Sequence, residues 1–450
     1  MSGLTYWAEY AWLPHASGTV VERDVLITVG PGGRIGHVTP DSGPCPPGAV
    51  RLGGLLLPGQ ANAHSHAFHR ALRGNVQVGS GTFWTWRDTM YRFAGALDPD
   101  SYLDLATAVY AEMALAGITA VGEFHYLHHA PGGARYEDPN AMGLALVEAA
   151  NRAGIRITLL DTCYLSSGFG EEVTKPQLRF SDGDADAWAA RADALKPTEH
   201  ARIGAAVHSV RAVPADQLAT VAHWAAMRKA PLHVHLSEQT AENDACLTAH
   251  GVTPTRLLAD HGVLGPRTSA VHATHLTDED VRLLGDSGTT ICMCPTTERD
   301  LADGIGPARR LASSGCPISL GSDSHAIIDP FEEARALELN ERLRTRTRGH
   351  WTAHALLRAG TEDGHASLGW PEAGRIEAGA LADFTAVALD SVRTAGPGPQ
   401  LGAETAVFAA TAADVRHVVV GGRHVVKDGI HQFVPDVPTA LRNAITSLGT

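Results

Sequence analysis

Short apolar runs recur along the chain. Each ends in polar or glycine-rich residues and is followed by a longer segment with helical spacing. The runs are residues 55–57, 118–124, 155–160, 203–207, 232–236, 270–272, 289–294 and 318–320, and segments rich in alanine and leucine lie between them at 102–116, 141–153, 215–229 and 331–344. Alternating strand and helix patterns predict parallel strands joined by helical crossovers. Eight such units predict an α/β fold built on a (β/α)8 TIM-like barrel, whose chemistry belongs at the C-terminal ends of its strands.

The two ends of the chain follow another rhythm. Up to about residue 54 there are short alternating strands and turns such as Gly30-Pro31-Gly32-Gly33, and after about residue 375 the same style returns in residues 382–387 and in a hairpin over 418–426. Neither end is long enough to be a stable sheet alone. They are expected to combine into one small β-sandwich, with 1–54 as its first part, 55–374 as the inserted barrel and 375–450 as its second part.

The polar residues that close the apolar runs carry the chemistry. His64-Ser65-His66 places two imidazoles two residues apart, so both leave an extended strand on the same face. His235 and Glu238 follow the run at 231–234, His272 follows 269–271, and Asp323 follows 318–322. Each stands where a barrel strand would end, and together they predict a hydrolytic metal centre.

Composition narrows the class. With 44% hydrophobic and 19% charged residues the chain is ordinary globular protein, and a formal charge of −13 argues against non-specific attraction to nucleic acid or anionic membranes. No apolar run is long enough to span a bilayer. Residues 1–12 lack the basic and apolar regions of a signal peptide, so a cytoplasmic setting is expected. Six scattered cysteines fit free thiols; Cys292 and Cys294 resemble a metal pair, but they share one face of an apolar run and are expected to be buried thiols. Serine-nucleophile, dinucleotide and P-loop motifs are absent from the sequence.

These residues, with the late segment 374–383, resemble the amidohydrolase superfamily over nearly the whole chain. Within it, the stretches 62–70, 83–87, 124–129, 208–213 and 294–301 are similar to those of the formimidoylglutamate deiminases. The resemblance implies hydrolysis of N-formimidoyl-L-glutamate to N-formyl-L-glutamate and ammonia. The alternatives are the N-formimidoyl-L-aspartate compound or a nucleobase-type substrate. A third reading, a metal-binding barrel without catalysis, is disfavoured by Glu238 and Asp323, because metal storage needs no proton shuttle.

The implied metal ligands are His64, His66, His235 and Asp323, a nitrogen-rich set that suits Zn²⁺ and would also accept iron or manganese. A single ion is expected: the fourth run ends without a lysine to bridge two, and the chain has only four lysines. Glu238, three residues past His235, is expected to shuttle a proton from water to the leaving nitrogen. His272 and Asp323 would flank and aim that water. A diacid substrate calls for planar cationic partners; Arg87 and Arg211 are implied, with Tyr126 and His208 as hydrogen-bonding partners and Arg299 as a weaker third cation. Trp84 and Trp86 are expected to pack. His69 stands where the family pattern has glutamine, close to the substrate, and could suit a shorter side chain such as aspartate. The expected partner is a small dicarboxylate, with neither nucleic acid nor membrane, and the resemblance implies a homodimer.

Overall fold

The computed structural model describes residues 4–15, 18–77 and 83–449, without the side chains of residues 83–85. The N-terminal end contributes four strands, β1 (Leu4–His15), β2 (Gly18–Val29), β3 (Ile35–Thr39) and β4 (Val50–Pro58). There follow β5 (Gln60–Ser65), β6 (Ile118–His125), β7 (Arg156–Cys163), β8 (Ala201–Val207), β9 (Leu232–Leu236), β10 (Thr268–His272), β11 (Thr290–Met293) and β12 (Ile318–Leu320). The chain then returns with β13 (Phe384–Val387), β14 (Val415–Val420), β15 (Arg423–Lys427) and β16 (Ile430–His431). Among the described residues these strands form two eight-stranded sheets, β5 to β12 in chain order and β16-β15-β14-β13-β4-β1-β2-β3.

Parallel pairing and helical crossovers make the middle sheet a barrel. Strands such as β6 and β7 are buried along their whole length, as expected of a parallel sheet covered on both faces. Helices start where capping residues put them: Asp98 accepts from the Ser101 amide ahead of Pro99–Leu115, with proline in the first turn. The terminal strands enclose a second core of Tyr6, Ile27, Leu52, Leu56, Phe384 and Val419.

The run at 55–57 is not the first barrel strand. It is the end of β4, which pairs with β1 and β13 in the terminal sheet, while the barrel opens at Gln60. The change of sheet occurs at Gly59, where any Cβ would overlap the Thr119 side chain. The amide of Gly59 still donates to Asp383 in the terminal sheet, and that of Gln60 already donates to Gly117 in the barrel. The C-terminal segment is also not all strand. Val437–Ser447 is a helix, capped by Asp436, that packs against Pro99–Leu115.

The barrel closes where its first and last strands end. Ser65 bridges Asp323, the Asp323 amide donates to the His64 carbonyl at 3.0 Å, and the His66 amide donates to the Asp323 carbonyl at 3.3 Å. Gly321 allows this approach, since a Cβ there would meet His64 Cβ at 2.7 Å. A buried bidentate pair, Arg156 Nε to Asp383 Oδ2 at 2.7 Å and Nη2 to Oδ1 at 3.1 Å, ties the barrel to the terminal sheet. Among the described residues no helix is long and apolar enough to cross a membrane.

Candidate metal centre and active site

The strand ends bring His64, His66, His235, His272, Glu238 and Asp323 together. His64 Nε2 and His66 Nε2 each lie 3.4 Å from Asp323 Oδ1, and His235 Nε2 lies 3.1 Å from His64 Nε2. The other ring nitrogens explain this convergence. His66 Nδ1 donates to the Phe124 carbonyl and His235 Nδ1 to the His208 carbonyl, both at 2.9 Å. With Nδ1 carrying the proton, each Nε2 presents a lone pair to the others and to a carboxylate. Such a gathering of unprotonated donors at hydrogen-bond distance is repulsive unless a cation sits among them. The donor set therefore fits a divalent metal ion.

Electrostatics point the same way. Burial lowers the pKa of His64, His66 and His235, so these rings stay neutral and able to ligate. Burial works against ionisation of Asp323 too, but His64 and His272 outweigh it and hold the carboxyl below its usual range. His272 behaves differently. Burial disfavours its charge, yet Glu238, Glu298 and Asp323 together raise its pKa to about 10. Its Nε2 lies 3.9 Å from Glu238 Oε1 and 3.8 Å from Asp323 Oδ2. Glu238 is raised by burial and by Asp323, an effect that His272 opposes. The backbone is strained here: His272 has φ +69°, Asp323 +41° and Ser237 +49°, a left-handed conformation uncommon outside glycine and one that clusters at working sites.

The substrate candidates line the adjoining wall. His69 Nε2 lies 3.1 Å from the Tyr126 hydroxyl, and the Tyr126 ring packs edge-on against His208 at 5.5 Å. His69 is closer to the metal ligands than a pure substrate contact would be, since it clusters with His66 and Asp323, and burial lowers its pKa to about 3. The Arg87 guanidinium lies 5.7 Å from the Tyr91 ring, and the Tyr91 hydroxyl feels the charge of both Arg87 and Arg211. Gln177 donates to the hydroxyls of Tyr91 and Tyr164, which fixes that cationic end. Trp86 packs edge-on to His69; the Trp84 side chain lies outside the described residues. Arg299 does not join the site: its half-exposed guanidinium pairs with Glu332 at 3.0 Å.

Several groups in and behind the site had no assigned role in the sequence reading. Glu242 pairs with Arg211 at 3.5 Å. Glu298 faces His272 Nδ1 at 3.5 Å. Asp303 binds the Gln239 amide beside Glu238, and burial with the Glu238 charge pushes its pKa up to about 8. Beneath the metal ligands, Ser65 donates to Glu123 at 2.7 Å and meets His325, which bonds Ser322. Glu298 lies in the motif 294–301, so its place was visible although its task was not. In a further group of potential ligands, His125, His128 and Asp161, the carboxylate is already engaged, taking two bonds from Arg191 and one from Trp188. All six cysteines are free, with Cys292 and Cys294 buried.

Comparison with known proteins gives this geometry a context. Residues 55–425 match the amidohydrolase family. A formimidoylglutamate deiminase of Pseudomonas aeruginosa is 37% identical over 94% of this chain and 95% of its own length. An 8-oxoguanine deaminase of the same organism is 31% identical over 93% of this chain and 91% of its own. The crystal structure of an amidohydrolase from Brucella melitensis superposes with a TM-score of 0.90 at 31% identity, covering 99% of this chain and all of that one.

Proposed function

The chain belongs to the amidohydrolase family and is a hydrolase of C–N bonds, and on that footing we propose that it deiminates N-formimidoyl-L-glutamate to N-formyl-L-glutamate and ammonia. The observation that carries the substrate is the pairing of metal-ligand clusters with two arginines, Arg87, 5.7 Å from the Tyr91 ring, and Arg211, paired with Glu242 at 3.5 Å and close enough for its charge to reach the same tyrosine. A formimidoyl group and two carboxylates need both ends. A purine needs no such cations.

His64, His66, His235 and Asp323 would hold the ion, and Zn²⁺ suits three imidazoles and a carboxylate. When bound, a divalent ion acidifies a water and so supplies a nucleophile near neutral pH. Glu238 takes a proton from that water as it attacks the formimidoyl carbon. The same carboxyl then returns that proton to the terminal nitrogen, the proton remaining on the attacking oxygen passes by way of Asp323 to the same nitrogen, and ammonia departs as the C=O of the formyl product forms. His272, cationic between carboxylates, orients the attacking oxygen and offsets the charge that develops there. Arg87 and Arg211 grip the two carboxylates, and Tyr126, His208 and His69 complete the hydrogen bonding. The reading includes a cytoplasmic setting, supported by the six free thiols, and the homodimer that the family resemblance implies.

Ammonia release is the test. The Zn²⁺-loaded protein should act on N-formimidoyl-L-glutamate at least tenfold better, in kcat/KM, than on N-formimidoyl-L-aspartate or 8-oxoguanine, a margin of about 1.4 kcal/mol. Preference for the aspartate compound would move the activity to a sister substrate, with His69 as the reason. Preference for the purine would end the proposal.

A further inference from the structure

The imidazoles at the heart of the site are not held alike. His66 and His235 each give Nδ1–H to a backbone carbonyl at 2.9 Å, which fixes both the ring and the tautomer. His272 has no such carbonyl. Its ring is buried, its backbone is in the left-handed region, and its Nδ1 makes no hydrogen bond of ordinary length; the group facing that nitrogen is Glu298 Oε1 at 3.5 Å, within ion-pair reach.

Glu298 is itself rigidly placed. It lies in the short helix Pro295–Asp300 that follows β11, 3% exposed, and its side chain turns back over the first turn so that Oε1 accepts from the Cys294 amide at 3.0 Å. Its own amide donates to the Cys294 carbonyl at 3.0 Å, and its carbonyl accepts from Asp303 at 2.9 Å. A buried carboxylate anchored in this way cannot rotate to another partner. We infer that Glu298 is the positioning residue for His272, accepting from Nδ1–H and thereby turning Nε2 toward Glu238 and Asp323, where the reaction takes place. A carboxylate behind a histidine holds the Nδ1 proton more firmly than a carbonyl would. It also fixes a ring whose Nε2 contacts, at 3.8 and 3.9 Å, are too long to orient it. The inference rests on the deiminase reading only for the substrate used in its rate measurements.

The experiment compares Glu298→Ala and Glu298→Gln in Zn²⁺-loaded protein by proton NMR and by ammonia release. The imidazole Nδ1–H of His272 gives a far-downfield resonance, identified by its loss in His272→Asn. In Glu298→Ala that resonance should vanish, with Zn²⁺ content unchanged. Its kcat should fall by about 10- to 100-fold, the usual cost of removing a histidine's supporting partner, while KM changes by less than about threefold. Gln keeps an oxygen that can accept from both Cys294 and Nδ1, so Glu298→Gln should retain the resonance and recover kcat to within about fivefold. In a His272→Asn background, Glu298→Ala should cost no more than about a further twofold, since the two residues act as a unit. The inference is overturned if the resonance survives in Glu298→Ala, if Gln is as damaging as Ala, or if the alanine change costs the same factor in both backgrounds. Should Glu298→Ala fail to fold, Glu298→Asp replaces it, because it keeps the charge but withdraws the oxygen from Nδ1. Wild-type protein that releases no ammonia from N-formimidoyl-L-glutamate would end the substrate reading alone, and the resonance would still decide the role of Glu298.

Discussion

Glu238 and Arg87 show how much one side chain's surroundings decide. Burial raises the pKa of Glu238 more than His272 lowers it, so the carboxyl gains its proton at a higher pH than an ordinary glutamate. In the proposed reaction the ionised form is the base. Activity should therefore be complete above the raised pKa and fall on acidification, with the acidic limb of kcat/KM centred above 4.5, and a limb at or below that value would contradict the assignment. Glu238→Gln should retain the metal but lose at least about a hundredfold in kcat, as expected for a general acid–base. Arg87→Met removes one charge-assisted partner of a substrate carboxylate, a loss of about 1.5–3 kcal/mol. That should appear as about a 10- to 150-fold drop in kcat/KM for the diacid, carried mainly by KM. The positions of these residues were legible because a strand end and the family-like motifs marked them. Glu242 was not, since its pairing with Arg211 joins a helix to a different barrel loop, and neither neighbour in sequence signals the other. Arg299 misled for the opposite reason: it stands in a matching motif, but its side chain leaves the site for Glu332.

At the scale of elements, the seven barrel strands from β6 to β12 were readable from apolar runs because both faces are buried and the runs have no competing pattern. The first was not. β4 ends in the apolar run Leu55-Leu56-Leu57, whereas β5 alternates polar residues with alanine, so the apolar signal falls one strand too early. The helix Val437–Ser447 was missed because its buried face is only Val437, Leu441 and Ala444, too sparse to stand out beside the hairpins before it. A less visible device joins β7 to the helix Ala185–Ala192. Arg191 there binds Asp161 at 2.8 Å and Asp182 at 2.9 Å, all three buried, while His129 also reaches Asp182 at 3.0 Å. Arg191 is the main offset to the burial cost of Asp161, while His129, His128 and Arg191 share that task at Asp182, and both carboxylates stay ionised below their usual range. Arg191→Ala would leave two buried anions with one histidine between them. It should cost about 3–5 kcal/mol of stability in urea unfolding, as for other broken buried pairs; a loss under about 1 kcal/mol would show that the network carries no such load.

For the whole molecule, the metal ligands come from β5, β9 and the segment after β12, so an ion at the site links strands from opposite parts of the chain. Ligand binding to the native state alone stabilises by about 4 kcal/mol at a thousandfold excess over Kd. Chelation should therefore lower Tm by several degrees, reversed by Zn²⁺, and an unchanged Tm would speak against the ion's place. The Arg156–Asp383 pair couples the terminal sheet to the barrel, so unfolding of the holoprotein should remain a single transition. The seam at Ser65 and Asp323 has a consequence for biosynthesis. The proposed ligands run from the first stave of the cylinder through the fifth to the eighth, the outermost roughly 260 positions apart, as are Ser65 and the histidine that meets it. A ribosome-bound chain must expose nearly three quarters of its length before the centre can exist. Metal loading at this centre would therefore be a late event in maturation, and a truncated translation product would lack the assembled ligand set and with it any hydrolytic activity to misdirect.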